Sequence, residues 1–182
     1  EGPLVAELRQ RIERYGGRLA HVDSAAAPAS TLILLGDVPA AEAYLQGDRP
    51  PEREQGYLVR CQSQGDRKVV VLQGRDRLGL LWAIASFNQL VHQRAGHTVV
   101  RAADVRDYPE MPNRGFIAGN WVDGVGYCLA FKLNKPVFQS ALADRSQPDR
   151  RKSAGAWRNP LPEQVRRDLA AYGQRLSPLG IT

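Results

Sequence analysis

Apolar residues at the start of the chain recur with helical spacing. Between residues 3 and 15, Leu4, Leu8 and Ile12 lie four positions apart, and Gly16 follows where a helix would stop. This pattern predicts an amphipathic helix whose apolar stripe packs against a sheet.

The same kind of pattern predicts two further helices. A short one runs over residues 39–45. A long one begins after Asp76, whose carboxylate is suited to cap it, and continues to about residue 93, with Gly96 ending it.

Strands are predicted where apolar residues alternate with polar ones or form short runs between turn residues. The segments are 18–22, 31–35, 56–63, 68–73 and 97–105. The turn Gln64-Gly65-Asp66 predicts that the third and fourth segments form a hairpin. Residues 1–107 are therefore expected to form an α+β domain, a mixed sheet with helices packed on it.

The proline-containing segment 108–112 separates this domain from the rest of the chain. Each proline fixes its own backbone and lacks an N–H group, so a stiff linker is expected. The elements predicted beyond it are a strand at 114–119, a helix at 125–132, a strand at 133–139, a helix at 159–176 and the start of a third strand at Gly180.

This alternation of strands and helices is typical of a parallel (β/α)8 barrel. A complete barrel takes roughly 250 residues. Residues 113–182 are therefore expected to hold only the truncated start of one.

Three short segments carry a resemblance to a known family. They are Gly56-Tyr57-Leu58-Val59-Arg60, the run GRDRLGLLWAI that begins at Gly74, and the acid–tyrosine–proline of residues 107–109 that is followed by Arg114-Gly115. In this order they resemble the domain before the catalytic barrel, and the entry to that barrel, in family 20 and family 84 glycoside hydrolases, the β-N-acetylhexosaminidases. The resemblance implies a carbohydrate-active enzyme for N-acetylhexosamine-containing glycans.

The resemblance also implies a substrate-assisted reaction, in which the 2-acetamido group of the sugar attacks the anomeric carbon. One carboxylate orients that group, and a neighbouring one protonates the leaving oxygen. These families place the acidic pair at the end of the fourth barrel strand, and this chain is expected to reach only the third. No catalytic residue is therefore expected in the 182-residue chain.

Substrate contacts are implied at the barrel entry. The resemblance implies that Arg114 contacts sugar hydroxyls, and an equally weighted alternative is an ion pair with Asp107 or Glu110. Residues after the first barrel strand are expected to face the substrate: Asn120, Trp121 and Asp123. For Trp121, packing beside the strand is the alternative to stacking on a sugar ring. Ala118 departs from the family pattern, which has an acidic residue there.

Composition disfavours other classes of function. The net charge of +6 and the basic run at 145–158 would suit a polyanion, but the run has no interleaved aromatic residue before Trp157, so a solvated loop and no nucleic-acid partner are expected. No stretch approaches the ~20 apolar residues of a membrane helix. Without a phosphate-binding glycine loop, paired cysteines or a His-Glu-x-x-His motif, no cofactor or metal is expected, and the scattered histidines are assigned structural or surface roles: His21, His92 and His97.

Cys61 and Cys128 lie in different predicted domains, which favours separate thiols over a disulfide. Two lone cysteines do not establish the compartment, and a secreted or periplasmic location is slightly favoured. A barrel fragment leaves strand edges uncovered, so a homo-oligomer through residues 113–182 is one expected arrangement.

Two hypotheses for the function stay open at this point. The first is the N-terminal part of a glycoside hydrolase, with an accessory domain and the first barrel strands. The second is a non-catalytic module that binds glycan or protein. An acidic pair on a later apolar strand of a longer coding sequence would favour the first hypothesis.

Overall fold

The protein is described by a computed structural model over residues 2–22, 24–26, 28–118, 124–138, 170, 174–175 and 177–179. The chain divides into two compact units, Glu1–Pro112 and Asn113–Thr182. In the first unit the elements are α1 (Pro3–Arg14), β1 (Thr31–Leu35), a 3-10 turn (Pro39–Ala41) that leads into α2 (Glu42–Leu45), β2 (Tyr57–Gln64), β3 (Arg67–Gly74), α3 (Arg77–Leu90), β4 (Val91–Arg94), β5 (His97–Val100) and β6 (Asp104–Asp107). In the second unit they are β7 (Gly115–Ala118), α4 (Gly124–Phe131), β8 (Lys135–Phe138) and a 3-10 turn (Ser177–Leu179).

The first unit is built on a mixed four-stranded sheet in the order β1-β3-β2-β6. Strands β1 and β3 run parallel, and β2 runs antiparallel to both β3 and β6. The β2–β3 hairpin turns between Gln64 and Arg67, as the sequence predicts. The predicted mixed sheet with packed helices is thereby confirmed.

Each face of the sheet carries its own apolar layer, because successive side chains of a strand point to opposite faces. One layer joins β1, β3 and β2 to α2 and the 3-10 turn before it, and consists of Leu32, Leu34, Ala41, Leu45, Leu58, Val69 and Val71. On the other face α3 packs across β3 and β2, and α1 packs on α3. The largest side chain of that layer is Trp82, which is fully buried.

Helix α3 has polar partners at both ends. At its start, Asp76 accepts a hydrogen bond from the backbone N–H of Gly79 at 2.8 Å, which confirms the predicted cap. Near its end, the side chain of Arg11 donates to the carbonyl of Asn88 at 2.7 Å. A cation at this end also interacts favourably with the helix dipole.

The prediction that this helix continues to residue 93 is wrong. The helix ends at Leu90, and Val91–Arg94 forms a strand that pairs with β5. Ala95 and Gly96 have φ values of 49° and 79°, the pair of positive angles that a two-residue hairpin turn requires. Gly96 therefore closes a hairpin rather than a helix.

Two strand predictions also need correction. The predicted strand 97–105 is two strands, β5 and β6, which belong to different sheets. The predicted strand 18–22 has no strand conformation. There the carbonyl of Leu19 accepts a hydrogen bond from the side chain of Arg9 at 2.5 Å, so a side chain occupies the acceptor that a strand partner would use.

The described part of the second unit is a strand–helix–strand segment. Strands β7 and β8 are parallel, with Gly115 opposite Lys135 and Ala118 opposite Phe138. Helix α4 connects them, which confirms the predicted order of these elements. The predicted helix at 159–176 lies mostly outside the described residues, and the strand at Gly180 lies wholly outside them.

The helices that the structure describes are all too short or too polar to cross a bilayer. Both cysteines, Cys61 and Cys128, are free thiols, so the expectation of separate thiols is confirmed.

The ion pairs of Arg60 connect two neighbouring parts of the first unit, because its guanidinium lies 2.5 Å from Asp48 and 3.0 Å from Asp104. The hydrogen bond to Asp48 raises the pKa of Arg60 above its ordinary value.

Candidate functional site

Arg114 is the predicted substrate-contacting residue that the structure describes. It lies directly before β7, half-buried, and its Nε donates to the carbonyl of Lys132 at 2.9 Å. Its backbone N–H donates to the side chain of Asn134 at 2.8 Å, and its carbonyl accepts from the N–H of Asn134 at 2.9 Å. Arg114 therefore joins the start of β7 to the loop between α4 and β8.

That loop has a defined helix-ending geometry. Lys132 has a φ of 52°, the left-handed conformation that often follows the end of a helix. The N–H of Leu133 donates to the carbonyl of Cys128, and the N–H of Lys132 donates to that of Leu129, the bond pair of a Schellman motif. The end of α4 thus fixes the position of the Lys132 carbonyl, which accepts the hydrogen bond from Arg114.

The other predicted substrate-contacting residues, Asn120, Trp121 and Asp123, lie outside the described residues. They follow the carboxyl end of β7, whereas Arg114 precedes its amino end. In barrel enzymes the active site lies at the carboxyl ends of the strands. The substrate roles of all four residues stay predictions.

The three segments that carry the family resemblance, apart from Arg114-Gly115 of the second unit, come together in the first unit. The hydroxyl of Tyr57, a residue that is 1% exposed, donates to Asp107 at 2.8 Å and accepts from Ser86 at 3.0 Å. Asp107 also accepts from the N–H of Tyr108 at 2.8 Å, at the start of the linker. The acid–tyrosine–proline segment is thereby tied to the start of β2.

Gln55 makes the second connection. Its backbone N–H donates to Asp76 at 2.7 Å, and its side-chain oxygen accepts from the indole N–H of Trp82 at 3.0 Å. Its side-chain nitrogen donates to the carbonyl of Pro112 at 2.7 Å. We call the five residues Gln55, Tyr57, Asp76, Trp82 and Asp107 the exit cluster, because they surround the point where the chain leaves the first unit.

Glycines beside the exit cluster allow neighbouring backbone segments to lie in close contact. A Cβ atom on Gly79 would lie 2.3 Å from the carbonyl oxygen of Gly56, and one on Gly74 would lie 2.0 Å from the backbone nitrogen of Leu80. Side-chain-bearing residues do not fit at these distances. The glycines that the resemblance singled out therefore have a packing reason.

A shallow, open depression lies beside the linker. Its volume is about 600 Å³, and its lining residues are Pro51, Glu52, Arg53, Arg106 and Tyr108. The guanidinium of Arg53 stacks over the ring of Tyr108 at 4.9 Å. Among the described residues, no group of three His, Cys, Asp or Glu side chains is arranged to hold a metal ion.

Together these features define a class of protein, an α+β domain joined by a short proline-containing linker to a parallel strand–helix–strand unit. The family model of glycosyl hydrolase family 20, domain 2, matches residues 2–108, which is more than half of the chain. The chain therefore belongs to this family. No curated protein matches the sequence.

Solved structures with the same fold include two glycoside hydrolases. The chain is similar to CpGH84B, with a TM-score of 0.64 and 12% identity over 98% of this chain. It is also similar to a glycoside hydrolase family 20 β-N-acetylglucosaminidase, with a TM-score of 0.50 and 18% identity over 76% of this chain. The chain spans 30% of the first protein and 25% of the second. The resemblance drawn from the sequence is thereby confirmed.

Proposed function

We propose that this chain is the N-terminal part of a glycoside hydrolase that acts on N-acetylhexosamine-containing glycans. The observation that carries the proposal is the family 20 match over residues 2–108, followed directly by parallel β7 and β8 with α4 between them. That order, an accessory domain and then a strand–helix–strand unit, is how a hydrolase of this type would begin its barrel. The similarity to a β-N-acetylglucosaminidase supports the substrate class.

In this proposal residues 1–107 are the accessory domain, 108–112 the linker and 113–182 the first part of a (β/α)8 catalytic barrel. Later strands of the parent protein supply the two carboxylates. The 2-acetamido group of the substrate acts as the nucleophile, as in other enzymes of family 20. The 182-residue chain alone then has no glycosidase activity, because the proton donor is not in it.

Arg114, Asn120, Trp121 and Asp123 are the proposed sugar contacts. The guanidinium of Arg114 presents several N–H donors in a planar fork, which suits neighbouring hydroxyls of one sugar. Its Nε bond to Lys132 would orient that fork. Trp121 is proposed to stack on a sugar ring, and Asn120 and Asp123 to contact hydroxyls from the loop after β7.

The test compares two chromogenic substrates on a longer protein that continues through the later barrel strands. We expect hydrolysis of an aryl N-acetyl-β-glucosaminide and no hydrolysis of the aryl β-glucoside, because only the first carries the acetamido nucleophile. The 182-residue chain should hydrolyse neither. Equal hydrolysis of both substrates would rule out substrate assistance. Binding of a glycan without any turnover would favour a non-catalytic module.

One substitution, with a control elsewhere in the chain, tests the proposed sugar contact of Arg114 in that longer protein. Arg114→Lys keeps the charge but loses both the planar fork and the Nε donor to Lys132, so KM should rise at least tenfold while stability falls by no more than the one hydrogen bond, about 1 kcal/mol. A lower thermal midpoint with an unchanged KM would assign Arg114 to the hydrogen bond with Lys132 alone. Gln62→Glu, far from β7 in the sequence, serves as the control.

A further inference from the structure

Gln55 has a backbone conformation that its residue type disfavours. It is 1% exposed and has a φ of 60°. The N–H of Gly56 donates to the carbonyl of Arg53 at 2.9 Å, so Gln55 is the third residue of a four-residue turn. A turn with a positive φ at that position usually has glycine or asparagine there.

The other non-glycine residues with positive φ among the described residues have a local reason. They lie at the end of a helix or in a hairpin turn: Gln46, Ala95 and Lys132. Gln55 instead lies in a loop, just before β2. A strained residue persists where surrounding contacts determine it, so the contacts of Gln55 are the place to look for its role.

Both ends of the Gln55 amide are used within the first unit. The oxygen accepts from Trp82, whose side chain is fully buried, and the nitrogen donates to the carbonyl of Pro112. Pro112 is the last residue of the first unit, two positions before Arg114. Proline has no backbone N–H group, so a hydrogen bond that holds Pro112 by its backbone must use its carbonyl.

We propose that Gln55 is a positioning residue, which anchors Pro112 to the buried Trp82 and so sets the point from which the chain enters β7. The amide is the side chain that suits this role, because it has an acceptor for the indole N–H and a donor for the proline carbonyl. Glutamate keeps the acceptor but loses the donor. Glycine relaxes the turn but loses both.

The test is NMR relaxation on the 182-residue chain, and it does not depend on the proposed function. The backbone amides of Met111 and Asn113 flank Pro112 and report on its order. In the wild type their order parameters should be near 0.85, as for rigid backbone, and in Gln55→Glu and Gln55→Gly they should fall below about 0.6. Amides of β2 and β3 should keep their wild-type values.

Gln62→Glu is the matched control. The side-chain nitrogen of Gln62 donates to the carbonyl of Tyr44 at 2.8 Å, a bond of the same type in another part of the sheet. This variant should leave Met111 and Asn113 as ordered as in the wild type. The indole N–H resonance of Trp82 should keep its hydrogen-bonded shift in Gln55→Glu and lose it in Gln55→Gly.

Two results would overturn the positioning role. One is that Met111 and Asn113 stay rigid in folded Gln55→Glu and Gln55→Gly. The other is that both variants fail to fold, which would assign Gln55 to the stability of the first unit. Failure of Gln55→Gly to fold would be informative, because glycine suits the positive φ of this turn and the variant removes only the side-chain hydrogen bonds.

A consequence for catalysis rests on the proposed function. In the longer, active protein Gln55→Gly should lower kcat/KM about tenfold or more at a temperature where it is fully folded, since misplaced contact residues cost rate. Gln62→Glu should not. A wild-type protein without glycosidase activity would defeat the proposed function but leave the relaxation result intact. An unchanged kcat/KM in Gln55→Gly would confine Gln55 to ordering the linker.

Discussion

Gly79→Ala sets two physical effects against each other. Gly79 lies in the first turn of α3, and in an exposed helix alanine is more stable than glycine by about 1 kcal/mol. Here, however, the added Cβ would lie 2.3 Å from the carbonyl oxygen of Gly56, whereas ordinary contacts begin at 3.4 Å. Both sides of this contact are backbone, so neither can rotate away.

The clash also threatens a hydrogen bond. The carbonyl of Gly56 accepts from the N–H of Arg75 at 2.8 Å, and a shift of about 1 Å would break it. Overpacking costs about 1–3 kcal/mol and the lost bond about 1 kcal/mol. After the gain in helix propensity is subtracted, the net loss is about 1–3 kcal/mol, a large share of the 5–15 kcal/mol that a domain typically has.

Urea unfolding followed by the fluorescence of Trp82 measures this loss, in a background where Trp121 and Trp157 are replaced by phenylalanine. Ala6→Gly supplies the propensity term alone, because Ala6 is exposed on α1; it should lose about 1 kcal/mol. A Gly79→Ala protein that is as stable as the wild type, or more so, would show that α3 can move away from Gly56 and that the glycine has no packing role.

Three further outcomes are expected. Arg11→Ala should destabilise the first unit by about 1–2 kcal/mol, because it removes the bond to the Asn88 carbonyl at the end of α3, and a midpoint of urea unfolding equal to that of the wild type would contradict this. Burial raises the pKa of Cys128 from 9.0 to about 11, so iodoacetamide at pH 9 should modify this thiol far more slowly in the folded chain than in urea. The second unit should also lose stability as the pH rises from about 9 to 11, because the thiol loses its proton at a lower pH in the unfolded chain than in the folded one. Light scattering and hydrogen exchange of the 182-residue chain should show either self-association through residues 113–182 or incomplete hydrogen-exchange protection there, and a strict monomer with full protection would refute this prediction.

The sequence predicts elements well where the signal is local. The spacing of Leu4, Leu8 and Ile12 defines α1, and Asp76 marks the start of α3, because periodicity and capping act within a few residues. The end of α3 is different. Val91 continues the apolar stripe of the helix, and only its pairing with Val100 decides that it begins a strand.

The exit cluster shows a second limit. Asp76 is predictable as a cap and Trp82 as a core residue, but no pattern indicates Gln55. It stands in the polar loop 47–55, where a glutamine predicts solvent exposure. Its burial comes from contacts to residues 21, 27 and 57 positions away, which no local pattern can encode. The strained turn appears only once backbone angles are known.

The segments that carry the family resemblance have a common physical task in this chain. Asp76 caps α3 and holds the backbone of Gln55, while Tyr57 holds Asp107 beside the linker. The glycine contacts let these backbones approach within van der Waals distance. In the first unit the recognisable residues therefore hold its last residues in place, because Tyr57 binds Asp107, and Asp76 and Trp82 hold Gln55, whose side chain binds Pro112.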